Sequence, residues 1–246
     1  MVLDLHLPYV QGYTNLTETV DVAKDPLILT GTYMNEATAL KTENNTMIFT
    51  SYLMKLFLAC IFNEYEKAEE YAILSRPHES GASLFGVQQR LFLEALTLLV
   101  LCRPRPRRHE KTKNPSSLKQ SRRKRLRLAK GYLKTLKKHA SYSGRSNLAH
   151  RIAALEAGFA MVRGNVDLGA SKYKEAVGIA SEELVWGEEA LISEVAGMAL
   201  CDFGWTKDGQ SYLKNAKEVY DEWGAHRKVI QLEQPRRGTT LQQRHS

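Results

Sequence analysis

Two adjacent carboxylates, Glu188 and Glu189, are the residues whose types most directly suggest catalysis. A carboxylate pair can act as general acid and general base when both side chains reach one bond of a substrate. Adjacent helical positions point about 100° apart, so these side chains diverge. The positive end of the helix dipole also favours carboxylates at a helix start. The pattern therefore predicts a solvated pair at a helix start rather than an acid–base couple.

Histidine and cysteine show no spacing that suits a metal site or a disulfide framework. Cys60, Cys102 and Cys201 lie far apart, which favours a reducing compartment. His139 and His150 fall on separate predicted helices without Cys or Asp partners nearby, so we expect packing or surface roles for them. The sequence has no GxxxxGK[ST] loop, GxSxG elbow or HExxH pair. We expect a noncatalytic protein without cofactor or metal.

The sequence also bears on location. The N-terminus lacks the basic and apolar segments of a secretory signal. The most apolar runs, Tyr52 to Phe62 and Leu91 to Cys102, are interrupted by Lys55 and Glu94 and are shorter than the roughly 20 residues of a membrane span. We therefore expect a cytoplasmic protein without a membrane span, in which both runs form buried helices.

The composition changes abruptly between residues 103 and 138. This segment has sixteen Lys and Arg side chains and one acidic residue, Glu110, which gives a net charge of +15. The whole chain carries +8, so the remainder carries −7 and the basic character is regional. We predict a disordered Pro/Arg-rich linker at 103–118, followed by a basic amphipathic helix from Leu118 to Ala140.

The most basic run consists of Arg122, Arg123, Lys124 and Arg125. Such a run can serve nuclear import, contact phosphates or bind an anionic membrane, or it can be a solvated insertion kept open by its charge. No aromatic residues are interleaved with it, so base stacking is not indicated. Any contact with nucleic acid is expected to be electrostatic, nonspecific and salt-sensitive.

The C-terminal half contains a repeat with an offset of forty residues. Each copy has a turn glycine followed by a small, a large and a small residue: Gly164, Gly169, Tyr173 and Ala176, then Gly204, Gly209, Leu213 and Ala216. Periods of about 20 to 50 residues are typical of helix pairs that stack to bury their apolar faces. We expect the turn glycines at helix ends with positive φ and the small residues between paired helices. The small, large, small spacing is that of the second helix of tetratricopeptide repeats.

Trp223 and Gly224 follow the last predicted helix pair. One interpretation is that Trp223 docks on a neighbouring domain. The interpretation that we favour is that Trp223 closes the last pair, while Gly224 ends the helix in the left-handed conformation.

A series of short motifs runs in order through the same half of the chain. They are Asn147-Leu148-Ala149-His150-Arg151, Arg163-Gly164-Asn165, Trp186-Gly187-Glu188-Glu189-Ala190-Leu191, Tyr212-Leu213, Ala216, Tyr220, Trp223-Gly224-Ala225, Lys228-Val229 and Gln231-Leu232-Glu233. The series resembles the tetratricopeptide-like helical region of very large sensor kinases. In that family a kinase-like segment and a P-loop ATPase module precede the helices, and a GAF sensor with a histidine-kinase or cyclase output module follows.

The resemblance implies a helical scaffold that contacts a protein partner, or neighbouring kinase, ATPase and sensor domains in cis. It covers residues 145–235 most strongly and 43–102 more weakly. The Pro-Arg-rich insert near 103–125 departs from the family pattern, and every enzymatic module is missing from this sequence. The resemblance therefore implies signalling without any activity of the chain itself.

We predict an all-α protein, a tetratricopeptide-like helical-hairpin solenoid with a basic, partly disordered insert. Its parts are a weakly patterned lead-in at 1–42, helical hairpins at 43–102, the linker at 103–118, repeats at 119–235 and a disordered tail at 236–246. Within the lead-in, a helix is predicted from Leu27 to Lys41. A poorly capped first repeat also indicates that the sequence is part of a longer chain. The predicted function is a scaffold whose concave surface holds a partner; the alternative is a binder of nucleic acid or anionic surfaces through 103–138.

Overall fold

The computed structural model describes residues 6–18, 25–104, 115–142 and 147–234. In these ranges the chain forms eleven α-helices and no strand, which confirms the predicted all-α class. The predicted tail at 236–246 and most of the linker lie outside the described residues. The helices are α1 (Leu7–Thr17), α2 (Glu36–Ala39), α3 (Asn45–Ile61), α4 (Tyr65–Ser75), α5 (Leu84–Cys102), α6 (Pro115–Tyr142), α7 (Ala149–Val162), α8 (Val166–Glu182), α9 (Trp186–Asp202), α10 (Thr206–Glu222) and α11 (His226–Glu233).

Consecutive helices pack in pairs, α3 with α4, α5 with α6, α7 with α8 and α9 with α10. From α7 onward the chain follows a period of twenty residues, because α8, α9 and α10 each have 17 residues and turns of three residues separate them. One residue in each turn has positive φ: Gly164 (80°), Leu184 (55°), Gly204 (87°) and Gly224 (82°). The forty-residue repeat is thus two helices long.

The same hydrogen bond closes each of these turns. The amide after the positive-φ residue donates to the carbonyl five residues earlier, as in the bond from Trp205 to Leu200 (2.9 Å). This bond belongs to the Schellman motif, which satisfies carbonyls left without a partner at a helix end. Asn63, with φ of 62°, ends α3 in the same way, since the Glu64 amide donates to the Ala59 carbonyl (2.8 Å).

Small residues let the paired helices approach closely. A Cβ atom added at Gly209 would lie 2.8 Å from the Gly197 carbonyl oxygen, so α9 and α10 meet at backbone distance. At Gly169 the atom would instead meet the Met161 side chain. The other repeat positions lie in the same interfaces: Tyr173, Ala176 and Ala216 are buried and Leu213 is half-buried.

The N-terminal region is more ordered than the sequence suggested. The weakly patterned lead-in predicted at 1–42 contains α1, which has Pro8 in its first turn, where proline is tolerated. The helix predicted from Leu27 to Lys41 is wrong, because only the four residues of α2 are helical there. Leu27 and Leu29 instead enter the core from a non-helical segment, and the Asp25 carboxylate accepts a bond from the Leu27 amide (2.9 Å).

The two ends of the described chain pack against each other. Trp223 makes edge-to-face contacts with Tyr13 of α1 (5.9 Å between ring centroids) and Phe57 of α3 (6.1 Å). The Gln231 amide of α11 donates to the Phe62 carbonyl (3.2 Å). Every residue of α9 from Glu188 to Gly197 is buried, so this helix has no free face. A helix buried all round is an internal element of the fold.

The segment around α6 also departs from the predicted boundaries. The linker assigned to 103–118 is wrong at both ends, because Arg103 is buried and α6 already begins at Pro115. Arg103 donates through Nε (3.0 Å) and Nη2 (2.8 Å) to Asp202 Oδ2, which joins the end of α5 to the end of α9. Ala129 and Leu136 bury the inner face of α6 against the neighbouring helices.

Candidate functional site

The Glu188 carboxylate is buried and ion-paired, so its predicted solvation is wrong. Arg151 donates to it through Nε (2.8 Å) and Nη2 (2.6 Å), and His150 Nε2 lies 2.8 Å from Glu188 Oε2. Burial alone raises the pKa of Glu188, but the His150 hydrogen bond and the Arg151 charge outweigh it and lower the pKa to about 2. Glu189 is buried as well, and burial raises its pKa.

His150 lies between two carboxylates. Its Nδ1 is 2.9 Å from Glu183 Oε2, opposite the contact to Glu188. Carboxylate oxygens only accept hydrogen bonds, so both ring nitrogens are satisfied when the imidazole carries two protons. The partners stand 33 and 38 positions away in sequence, which is why local spacing did not reveal them. The motifs at 147–151 and 186–191 meet in this cluster, where they join α7 to α9.

A second buried polar cluster joins the end of α3 to α9, α10 and α11. The Glu194 carboxylate of α9 accepts bonds from Asn63 Nδ2 (2.7 Å), Lys228 Nζ (2.9 Å) and the Tyr220 hydroxyl (3.1 Å). Glu194 and Lys228 are fully buried. Burial and the nearby Glu194 charge raise the pKa of Tyr220 well above its usual value, so Tyr220 stays neutral and donates. The cluster is a structural connection.

These clusters offer little for metal or thiol chemistry. In the ranges that the structure describes, no group of three or more His, Cys, Asp and Glu side chains is arranged to hold a metal ion. Burial raises the pKa of the Cys60 thiol to about 12, so this thiol stays protonated and unreactive. The surface of the described chain is therefore the place to look for function.

The outward face of α6 is a continuous basic surface. Arg122 is exposed too but lies to one side of this face. Within residues 119–142, the exposed cations on the face itself are Lys119, Arg123, Lys124, Arg127, Lys130, Lys134, Lys137 and Lys138. At about 100° per residue they fall within an arc of about 140°, and at about 1.5 Å per residue they span about 28 Å. The sequence of α6 contains no Asp or Glu. We call this surface the α6 basic face.

The four residues predicted to contact a polyanion do not share this face. Arg123 and Lys124 lie on it. Arg122 instead donates to the carbonyls of Cys102 (3.2 Å) and Val162 (3.3 Å), at the ends of α5 and α7. Arg125 forms a two-bond ion pair with Glu69 (2.9 and 2.6 Å). Helical rotation therefore divides the run into two cations that bond to neighbouring elements and two that lie on the α6 basic face.

A groove of about 300 Å³ lies beside the α6 basic face, between α6, α7 and α8. Its lining comprises Lys130, Leu133, Glu156, Phe159, Ala160, Arg163, Asn165, Leu168 and Lys172. Glu156, the acidic residue of this lining, is paired with Lys137 (2.6 Å) and Lys172 (3.2 Å). Burial raises its pKa, but the hydrogen bonds from these lysines outweigh that effect and lower it. We call this site the α6–α8 groove.

A second groove, of about 370 Å³, lies between α8 and α10. It is lined by Lys174, Val177, Gly178, Ser211, Tyr212 and Asn215, so it carries one charged side chain. It is a useful comparison for the α6–α8 groove, because the two are similar in size but differ in charge.

Comparison with known proteins finds no matching family model, curated protein or solved structure. The relation to sensor-kinase helical regions therefore stays a prediction carried by the sequence motifs. Among the described helices, α5 has the length and composition of a membrane span, with a mean hydropathy of 1.5 in its most apolar window. Since 72% of that window is buried inside the protein, α5 also fits the role of a core helix.

Proposed function

We propose that this chain is a noncatalytic, tetratricopeptide-like helical scaffold that binds partners on its outward surface. The observation that carries the proposal is the contrast between the two sides of the helix array. The internal helix α9 has no exposed face over Glu188 to Gly197, whereas the α6 basic face presents eight exposed cations. These exposed cations make α6 the surface on which we expect a partner to bind.

The class of partner comes from the resemblance to sensor kinases. We infer a cytoplasmic scaffold that contacts kinase-like, ATPase or sensor domains, either in the same polypeptide or in another protein. The net charge is −7 outside 103–138 and +15 within it, so the two parts of the sequence carry opposite net charge. Such asymmetry supports orientation of a partner by electrostatic complementarity.

The test is retention of separately produced kinase-like, ATPase and sensor domains of such a regulator on the immobilised full chain. We expect at least one domain to be retained, and retention to fall in a variant carrying Lys124→Glu, Arg127→Glu and Lys134→Glu. These three side chains are exposed. The matched control makes the same charge change at exposed Lys41, Lys174 and Lys207, away from the α6 basic face. Background retention of every domain would refute the proposal.

Binding of a nucleic acid or another polyanion is the second candidate function. A basic helix face about 28 Å long and without acidic residues favours it. A protein that neutralises Z phosphates of duplex DNA gives a slope of about −0.9Z in a plot of log K against log salt, because the DNA releases its bound counterions. We expect a steep slope with labelled DNA or RNA, reduced by Lys124→Glu, Arg127→Glu and Lys134→Glu. Absent or salt-independent binding would exclude this function.

A further inference from the structure

We propose that the α6–α8 groove binds an acidic amphipathic segment of a partner protein. This inference rests on the proposed scaffold function and adds a site and a ligand class to it. The occupant is an extended or helical peptide that places apolar side chains in the groove and carboxylates along its rim.

The floor of the groove suits apolar anchors. Leu133 of α6, Phe159 and Ala160 of α7 and Leu168 of α8 contribute to it. Leu168 is 47% exposed, although it stands in a helix packed on one side against α7. A volume of about 300 Å³ is at the lower end of the range for binding pockets, which suits a few side chains of a peptide. Amphipathic helices commonly bind such grooves with apolar residues spaced three or four apart.

The rim decides the charge of the occupant. Lys130 and Arg163 have no carboxylate partner among the residues that the structure describes. The Arg163 guanidinium lies 5.8 Å from the centroid of the Phe159 ring, so its donors remain available at the edge of the floor. Glu156 is already neutralised by two lysines. Acidic side chains of a peptide would form ion pairs with Lys130 and Arg163, whereas a basic segment would be repelled.

The same floor argues against nucleic acid as the occupant. Single strands bind to proteins by stacking their bases on exposed aromatic rings above a basic track. In this groove the aromatic ring is that of Phe159, and Arg163 already lies over it. The rest of the floor consists of aliphatic side chains. The polar edges of bases would meet Leu133 and Leu168 without hydrogen-bond partners. An acidic peptide satisfies both the floor and the rim.

The experiment measures binding of a fluorescent 18-residue peptide to the full chain by anisotropy. The probe has Leu at positions three and four apart and Glu or Asp at most others. Two comparison peptides have the same composition in scrambled order, or Lys in place of every acid. We expect the probe to bind at least about tenfold more tightly than either comparison peptide, because both apolar spacing and charge are required.

Leu168→Glu tests the site itself. We expect this variant to bind the probe at least about tenfold more weakly, since it puts a charge among the apolar contacts and repels the acidic rim of the peptide. The matched control is Leu84→Glu, which makes the same change at a leucine that is 64% exposed outside the groove. Equal affinity of Leu168→Glu and unaltered protein would overturn the proposal.

The outcomes also separate this inference from the scaffold function. If kinase, ATPase or sensor domains are retained but Leu168→Glu and the unaltered protein bind the peptide equally well, the scaffold function stands and the groove is refuted. If the peptide binds through Leu168 but no domain is retained, the groove stands and the signalling scaffold is refuted. If an oligoribonucleotide binds and competes with the probe, and Leu168→Glu weakens neither, the surface binds polyanions in general and the peptide site is refuted.

Discussion

Leu184 stands where its three counterparts in the twenty-residue period are glycines. Its φ of 55° lies in the left-handed region, at the position of Gly164, Gly204 and Gly224. The side chain is 71% exposed, so it contributes little buried area. We predict that Leu184→Gly stabilises the protein.

The magnitude follows from two opposing effects. The left-handed conformation costs an L-residue about 1–2 kcal/mol, which glycine avoids. Glycine also raises the conformational entropy of the unfolded chain, which lowers the free energy of unfolding by about 0.4–1 kcal/mol. The net increase in the free energy of unfolding is therefore about 1 kcal/mol, which for a chain of this size raises Tm by about 2–4 °C.

The assay is thermal and urea unfolding followed by circular dichroism. Leu184→Ala is the matched control, because it removes the exposed side chain but keeps a Cβ atom at positive φ. Gly204→Ala is the reverse experiment, because nothing lies within 4 Å of a Cβ atom there and the backbone conformation is the sole penalty. If Leu184→Ala stabilises as much as Leu184→Gly, or Gly204→Ala costs nothing, the reasoning from φ is refuted.

Three further predictions follow from packing and burial. Gly209→Ala should lower the free energy of unfolding by about 1–3 kcal/mol, since its Cβ atom meets backbone of α9, whereas Gly178→Ala, with open space around it, should raise it by about 0.5–1 kcal/mol in the same urea titration. The pKa of Glu188 is about 2 when folded, against 4.5 ordinarily, so its stabilisation is fully present above pH 4.5 and is lost as the pH falls to 2. Between pH 4.5 and 2, protonation of Glu188 should therefore lower the free energy of unfolding by an amount of the order of 3 kcal/mol. The Glu188→Gln variant should not show this fall in its curve of stability against pH. Burial raises the pKa of both Cys60 and Cys102, so a pulse of alkylating reagent should modify them, as read by peptide mass, only after unfolding.

Each of these predictions has a result that contradicts it. Equal effects of the two glycine substitutions would mean that α9 and α10 are not in backbone contact. A Glu188→Gln variant with an unchanged acid limb would mean that the carboxylate is not paired in solution. Rapid alkylation of the two cysteines in native buffer would mean that their helices open frequently.

Helical periodicity predicted most of this fold, because the pattern of buried residues repeats with the turn of the helix. The helices from α3 to α10 were all found in this way. The helix α1 was missed, since its burial depends on contacts with residues such as Phe57 and Trp223 far along the chain. Contacts between residues so far apart in sequence cannot be predicted from local periodicity.

The site was predicted less completely, for two different reasons. The ion pair of Glu188 joins helices 37 positions apart, so no spacing rule could find it. In contrast, the sequence does allow a prediction of which cations of the run 122–125 face inward. Arg122 and Arg125 share a helix face with the apolar Ala129, whereas Arg123 and Lys124 do not. The twenty-residue period of the repeat was also missed, because Leu184 stands where glycine marks the other turns.

The contact between the two ends of the chain has a consequence for how this protein comes apart. In an open array of repeats, each unit touches only its neighbours, and terminal units can fray one at a time. Here the Gln231 side chain bonds to the Phe62 carbonyl across 169 positions, and Trp223 packs on α1 and α3. Removing α11 would therefore loosen the first helices of the chain as well as the last. A ring of contacts of this kind melts as one unit, and a nascent chain cannot complete it until α11 has been synthesised.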